Sequence, residues 1–154
     1  MNLQSRSKEE EMLEFLVGEW NNSGHVSPGP FGPGGPAAGE TSYHWAVGDK
    51  WLLYVSRLEL PGLGRYEVRG GVAFNHRVGK YDAYAINSLG NLLVYEGKWK
   101  GETNLVFLLV YPLPRDRARV VYHKLSDGSF KMTSENASEE GEFEPYFEID
   151  YVRA

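Results

Sequence analysis

The four histidines are the side chains best suited to bind a metal or move a proton near neutral pH, and the sequence scatters them. His25, His44, His76 and His123 lie on four separate segments, without the spacing of a metal-binding motif. The residue pattern turns His44 outward and puts His76 in a turn. Both faces of the segment around His123 mix apolar and polar residues, so an inward His123 acting as acid or base stays open. No metal site is predicted.

The sequence lacks the common motifs of catalytic and nucleotide-binding sites. Ser88 and Ser129 each have a glycine on one side only, so neither forms the Gly-x-Ser-x-Gly turn of a serine nucleophile. The glycines at 62 and 64 lack the third glycine of a dinucleotide loop, and the acidic run at 139–144 lacks the alternating oxygen ligands of a calcium loop. The sequence therefore favours a binding protein. An isomerase or hydrolase that uses His123 or an inward tyrosine is the alternative.

Aromatic residues, and tyrosines above all, are the chemical groups that the chain has in quantity: 10 Tyr, 7 Phe and 4 Trp in 154 residues. A tyrosine combines an apolar ring with a hydroxyl that donates or accepts a hydrogen bond. Side chains alternate between the two faces of a strand. From this two-residue alternation, the residues predicted to face a ligand are Trp45, Tyr54, Tyr66, Phe74, Tyr81, Tyr95, Phe107, His123, Met132 and Tyr151. Trp99 and Phe147 share these faces, with Ser56 and Asn87 as isolated polar groups.

Ten strand-like segments position these side chains. They are predicted from the alternation of apolar and polar residues and from the turn residues between them. All links but the first are short, so neighbouring strands pair antiparallel in sequence order, and Gly70-Gly71 allows the bend of a closed sheet. We therefore predict an all-β, antiparallel up-and-down barrel. Its strands are predicted at 20–24, 41–45, 51–58, 66–74, 81–87, 92–99, 105–111, 119–124, 130–136 and 146–153.

A short helix is predicted before the first strand, over about residues 7–17. Ser7-Lys8-Glu9-Glu10 has the form of a capping box, and Met12, Phe15 and Leu16 then recur at helical spacing. The apolar face of this short helix must pack against another apolar surface. We expect the helix to plug one end of the barrel, with Phe15 and Trp20 as the closing side chains.

The segment at about residues 27–39 is rich in glycine and proline. Four prolines between residues 27 and 36 exclude a helix or a central strand there. A surface loop is the simpler interpretation. The alternative is a flap over the barrel mouth, with Phe31 as its large apolar contact.

Composition and charge narrow the set of partners. A formal net charge of −5 disfavours nucleic acid and anionic membrane surfaces. The chain has no cysteine, which excludes disulfides and thiolate metal sites. Residues 1–11 lack the apolar core of a secretory signal, and no stretch approaches the ~18 apolar residues of a membrane helix. We expect a single cytoplasmic domain over residues 1–154, without membrane insertion.

Several short pieces of the chain resemble a known group of barrels. Gly18-Glu19-Trp20 after a short helix resembles the Gly-x-Trp signature of the calycin superfamily, which includes lipocalins and fatty-acid-binding proteins. An ordered set of pieces is similar to a bacterial lipocalin-like family of unknown function. These pieces lie at residues 15–20, 79–81, 87–90, 95–99 and 151–153. The resemblance implies a lipocalin-like barrel more firmly than a reaction.

Two related groups imply particular ligands. Nitrobindin-like barrels hold haem through a histidine on a strand near the end of the chain. The final predicted strand here, 146–153, has no histidine, so no cofactor is predicted, and haem or nitric-oxide handling is an alternative. Arg153 shares a face with Tyr151, and the pair resembles the anchor with which fatty-acid-binding proteins hold a carboxylate. An Arg153 frayed into solvent is the other interpretation.

The width of the barrel decides whether it is a container. Barrel diameter grows with strand number, and about ten strands leave an interior that side chains alone fill poorly. A solid aromatic core is the alternative. We predict a non-enzymatic barrel that binds a small apolar or amphipathic molecule. The outer aromatics Trp51 and Tyr84 leave open an assembly role, such as a homodimer.

Overall fold

The computed structural model describes residues 5–30, 32–138 and 141–154. Its elements are α1 (Lys8–Glu11), a 3-10 turn (Glu14–Leu16), β1 (Gly18–Val26), β2 (Gly35–Ala46), β3 (Trp51–Leu60), β4 (Gly64–Asn75), β5 (Lys80–Asn87), β6 (Leu92–Lys100), β7 (Asn104–Tyr111), β8 (Ala118–Lys124), β9 (Phe130–Ala137) and β10 (Phe143–Arg153). Each strand pairs antiparallel with its neighbours in sequence, and β1 closes the sheet on β10. The predicted up-and-down barrel is therefore confirmed. Within the described ranges, no helix has the length and apolar character needed to cross a membrane.

The N-terminal helix is shorter than predicted. The capping box forms, because Ser7 Oγ accepts a hydrogen bond from the Glu10 N–H at 3.2 Å and Glu10 Oε1 accepts one from the Ser7 N–H at 2.7 Å. The α-helix ends after 4 residues, and a 3-10 turn follows at Glu14–Leu16. Leu13 and Leu16 are both fully buried. Residues three apart share a face in a 3-10 helix, so the tighter turn buries both leucines together.

Aromatic packing closes one end of the barrel. Phe15 contacts Trp99 and Phe130, with ring centroids 5.7 and 5.6 Å apart. Trp20 packs edge-on against Phe130 at 4.7 Å and donates its Nε1–H to the Leu16 carbonyl at 2.8 Å. Trp20 and Phe130 are almost completely buried. Burial of each such ring contributes roughly 1.5–3 kcal/mol to folding stability. These contacts hold the N-terminal helix at this end of the barrel, where it forms a plug.

Polar contacts tie the plug to the strands. Lys50, in the turn between β2 and β3, places Nζ 3.2 Å from Oε1 of the buried Glu10. The Tyr81 hydroxyl on β5 donates to the Glu9 carbonyl at 2.7 Å. Burial alone raises the pKa of Glu10, but hydrogen bonds from Ser7 and Lys50 outweigh it and hold that pKa below its usual value. Glu10 is therefore ionised and paired at neutral pH.

The other end of the barrel is its mouth, rimmed by the connections that follow each odd-numbered strand. Antiparallel strands alternate in direction, so these five connections share one end. Strand β2 begins at Gly35, which makes the first loop shorter than the predicted 27–39. Pro36 pairs with His25 near the start of β2, a strand position that tolerates proline. Phe31 lies outside the described residues, and so does the flap contact predicted for it.

Two glycines allow aromatic rings to lie across neighbouring strands. Gly70 on β4 faces Tyr54 on β3, and a Cβ at Gly70 would come within 2.6 Å of the tyrosine hydroxyl oxygen. Gly97 on β6 faces Phe107 on β7, and a Cβ there would overlap the phenylalanine ring. Both rings point into the barrel, so these glycines shape its interior.

Candidate functional site

Two tyrosines from opposite walls meet across the lumen, above the plug. Tyr43 on β2 and Tyr122 on β8 place their hydroxyl oxygens 3.1 Å apart, and both side chains are buried. Strands β1, β10 and β9 separate them around the barrel, so the pair crosses the interior. The Tyr54 ring stacks on Tyr43 with centroids 5.0 Å apart. We call the Tyr43–Tyr122 pair the floor.

A cavity of about 580 Å³ lies between this floor and the mouth. Its wall consists of inward side chains of the strands, and the small side chains of Ala83 and Ala85 on β5 leave it wide. Residues 27–30, 32 and 34 of the first loop and the turns near residues 61–63 and 89–91 form the rim. Small-molecule sites in proteins typically enclose about 300–1,000 Å³, so this cavity has the size of a ligand site.

The structure divides the ten residues predicted to face a ligand into two groups. Six of them line the cavity: Tyr54, Tyr66, Tyr95, Phe107, Met132 and Tyr151. The other four, which lie outside its described lining, are Trp45, Phe74, Tyr81 and His123. For these four residues, the prediction that the side chain faces the cavity is therefore wrong.

Three of those four residues lie beside the plug, below the floor. Trp45 donates its Nε1–H to Glu14 Oε1 at 2.8 Å. The Tyr81 hydroxyl accepts a hydrogen bond from Trp99 Nε1–H at 3.1 Å, and Phe74 packs against Tyr81 with ring centroids 5.1 Å apart. Period-two alternation predicts which face of a strand a residue occupies, but not its height along the barrel axis. These aromatics therefore build the closed end.

His123 lies on the outer face of the barrel. Its neighbours along β8, Val120 and Tyr122, line the cavity, which turns His123 away from it. The His123 Nδ1–H donates to Asn104 Oδ1 at 3.0 Å, and Nε2 accepts from the Thr133 hydroxyl at 3.2 Å. Burial lowers the pKa of His123, so the neutral ring is favoured. The alternative in which His123 points inward and acts as an acid or base in the cavity is therefore wrong.

Histidine is absent from the residues that line the cavity within the described part of the chain. This lining therefore offers no imidazole to a haem iron there. Among the described ranges, no cluster of three or more His, Asp or Glu side chains could hold a metal ion. Residues 139 and 140 of the acidic run lie outside those ranges.

Arg153 does not reach the cavity. Its Nη1 donates to the Val17 carbonyl at 3.1 Å, and its guanidinium lies 4.4 Å from the centre of the Trp20 ring. Trp20 belongs to the closed end, whereas Tyr151 lines the cavity. The expected carboxylate anchor is therefore wrong, and so is the interpretation of Arg153 as frayed into solvent.

Tyr43, Tyr122 and Tyr146 line the cavity although the sequence analysis did not select them. Tyr43 follows the alternation of its strand, so its face was available from the pattern. Tyr122 lies on β8, whose two faces look alike in sequence. Tyr146 reaches the cavity beside Phe147 because the β9–β10 register shifts between Pro145 and Phe147. A bulge of this kind breaks the alternation and cannot be predicted from it.

The phenols of the lumen are neutral donors. Burial raises the pKa of Tyr43 and Tyr54 well above its usual value, and the nearby Tyr122 phenol adds to the effect. Burial likewise raises the pKa values of Tyr95 and Tyr151. The described lining contains no Asp, Glu, Lys or Arg. The cavity is thus an uncharged, largely apolar chamber with hydroxyl groups at its floor.

Comparison with known proteins supports the fold. The profile of a family described as "Protein of unknown function (DUF1579)" matches residues 5–153. No curated protein matches the chain. The crystal structure of Rv2717c from M. tuberculosis is 13% identical, with a TM-score of 0.67 over 97% of this chain and 99% of that one. The S-type phycobiliprotein lyase CPES from Guillardia theta is 11% identical, with a TM-score of 0.64 over 99% of this chain and 96% of that one. At such identities the likeness shows the fold alone.

Proposed function

Because the chain belongs to the DUF1579 family of proteins of unknown function, we propose its function from the cavity itself: the protein binds a small apolar or amphipathic molecule inside the barrel. The observation that carries this proposal is the lumen above the floor, about 580 Å³ in volume. Side chains around an empty apolar void lose dispersion contacts on one side. A ligand that fills the void restores those contacts.

The expected affinity follows from the apolar surface that a ligand would bury. A molecule that buries about 400 Å² of apolar surface gains roughly 10 kcal/mol at ~25 cal/mol per Å². Loss of the ligand's freedom of motion offsets part of that gain. Since that cost is at least about 4 kcal/mol, we expect dissociation constants of about 10–100 μM or weaker, which corresponds to roughly −6 kcal/mol.

A variant that fills the cavity tests the proposal. Ala85 on β5 lines the wall and is 7% exposed, so Ala85→Phe would project a ring into the lumen. The next residue, Ile86, is 49% exposed, so Ile86→Phe adds a ring to the outer surface of the same strand. Binding of a neutral, environment-sensitive fluorescent dye would be measured by titration for the wild type and both variants.

We expect dye binding by the wild type and by Ile86→Phe, and at least a tenfold loss in Ala85→Phe, because added volume displaces the dye. Circular dichroism checks that both variants keep the barrel. Native mass spectrometry of protein purified from its source would show whether a molecule of matching size remains bound. A wild type that neither binds the dye nor retains a molecule would contradict the proposal.

A further inference from the structure

The charged side chains of the barrel strands lie outside the described lining of the cavity, and several of them form pairs on the outer surface. Arg57 bonds Glu67 across β3 and β4, and Lys131 pairs with Glu148 across β9 and β10. These strands also contribute Ser56 and Ser134 to the cavity wall. Among the described residues, the groups that could hydrogen-bond a ligand inside are hydroxyls, amides and backbone atoms, all of them neutral.

The side-chain hydroxyls near the floor offer the cavity a hydrogen-bond acceptor. Thr41 Oγ1 lies 3.0 Å from Asn22 Oδ1 and 2.7 Å from Ser56 Oγ. Either hydroxyl of the Thr41–Ser56 pair could be the donor. In both cases the Ser56 oxygen, which lines the cavity, keeps a lone pair that can accept a hydrogen bond.

The floor itself supplies the complementary donor. When the Tyr43 and Tyr122 hydroxyls bond to each other, one of them donates and the other accepts. The accepting tyrosine keeps its own proton. The inner end of the cavity therefore includes a hydroxyl donor on the floor and a hydroxyl acceptor at Ser56, a combination that matches a ligand hydroxyl, which both accepts and donates.

We infer that the cavity takes an uncharged alcohol or phenol, whose hydroxyl enters first and bonds the floor while its apolar body fills the lumen, and that it discriminates against carboxylates. This inference rests on the proposed function and names the class of ligand. A carboxylate at the floor would be buried without a cationic partner, which disfavours its charged form. Arg153, the cation expected to serve as its anchor, lies beside Trp20 at the closed end.

Matched probes separate this inference from the proposed function. Dodecanol, dodecanoate and dodecyl methyl ether share one apolar chain and differ only at the head group. Each would displace the neutral fluorescent dye at pH 7, below its aggregation concentration. We expect dodecanol to bind most tightly. Dodecanoate should be at least about 100-fold weaker, because a carboxylic acid of pKa ~4.3 is almost wholly ionised at pH 7.

Paired variants test the role of the floor. Tyr43→Phe combined with Tyr122→Phe removes both hydroxyls together, so neither leaves a buried partner without its bond. We expect this double variant to bind dodecanol about tenfold more weakly, and the ether more weakly as well, because an ether oxygen also accepts a hydrogen bond from the floor. Tyr111→Phe is the matched control, because Tyr111 is 54% exposed and lies outside the described lining.

The outcomes distinguish the two claims. Dodecanoate binding as tightly as dodecanol, or dodecanol binding no tighter than the ether, would overturn the inference while the proposed function stands. An unchanged dodecanol affinity in the double variant would also overturn it. Failure of the dye and of all three probes to bind the wild type would instead overturn the proposed function.

Discussion

Alkaline pH should unfold this protein through the tyrosines of its lumen. Tyr43, Tyr122 and Tyr151 are 1%, 9% and 3% exposed, and burial raises the pKa of each. In the unfolded chain these phenols ionise near pH ~10, whereas in the folded barrel they stay protonated. The stability that they contribute is fully present below about pH 10. It is lost as the pH rises above that value, because the unfolded state releases protons that the folded state retains.

The size of the effect follows from linkage. Each phenol that stays protonated in the fold costs about 1.4 kcal/mol of stability per pH unit above ~10. Tyr43, Tyr122 and Tyr151 together remove about 3 kcal/mol between pH 10 and pH 11, because the unfolded phenols are only about half ionised at the start of that interval. Burial also raises the pKa of Tyr54 and Tyr81, which adds to the loss. The sum is a large part of the 5–15 kcal/mol typical of a folded protein.

Urea unfolding at a series of pH values measures this loss, with tyrosinate absorbance as a second readout. The Tyr43→Phe, Tyr122→Phe double variant should lose about 2 kcal/mol less stability than the wild type over the same interval, because two of the phenols that stay protonated in the fold are removed while Tyr54, Tyr95 and Tyr151 remain. Tyr111→Phe is the matched control and should behave like the wild type, since Tyr111 is 54% exposed and lies outside the described lining of the cavity. Equal alkaline losses in the wild type and the double variant would refute the reasoning that these phenols are desolvated.

Two further outcomes are expected from the packing and the plug. Gly97→Ala should destabilise the barrel by about 1–3 kcal/mol in urea unfolding, because the added methyl group would overlap the Phe107 ring. Gly29→Ala is the control, since a methyl group at Gly29 makes no close contact and should change the stability little. Similar stabilities for the two variants would contradict this packing. The pKa of Glu10 is lower in the folded protein than in the unfolded chain. Its contribution to folding stability is therefore present above the unfolded pKa of ~4.3, and it is lost as the pH falls through the folded pKa. Glu10→Gln should cost about 1.5–3 kcal/mol at pH 7 and flatten the stability profile below pH ~4.3, and an unchanged profile would contradict that role.

The fold followed from local sequence signals because those signals repeat along the whole chain. Alternation predicted each strand, and short links fixed antiparallel neighbours, so closure of β1 on β10 required only enough strands and a bend. The helix was less predictable. Its second half forms a 3-10 turn that buries Leu13, a residue off the helical stripe. Packing against the barrel, and not helix propensity, decides that turn.

The site was harder to predict because it depends on position in space. Alternation gave the correct face for Tyr54 and Tyr151, yet placed Phe74 and Tyr81 in a cavity whose floor lies above them. The hydrogen bond that forms this floor joins strands distant in sequence. Such contacts follow from strand tilt and barrel closure, which no local pattern contains.

A crystal structure of the protein grown with dodecanol tests the central claim most directly. The account predicts one dodecanol molecule in the lumen, its oxygen within hydrogen-bond distance of the Tyr43–Tyr122 pair and of Ser56, and its chain directed toward the mouth. A lumen filled by the protein's own side chains, or dodecanol bound only at the outer surface, would contradict it.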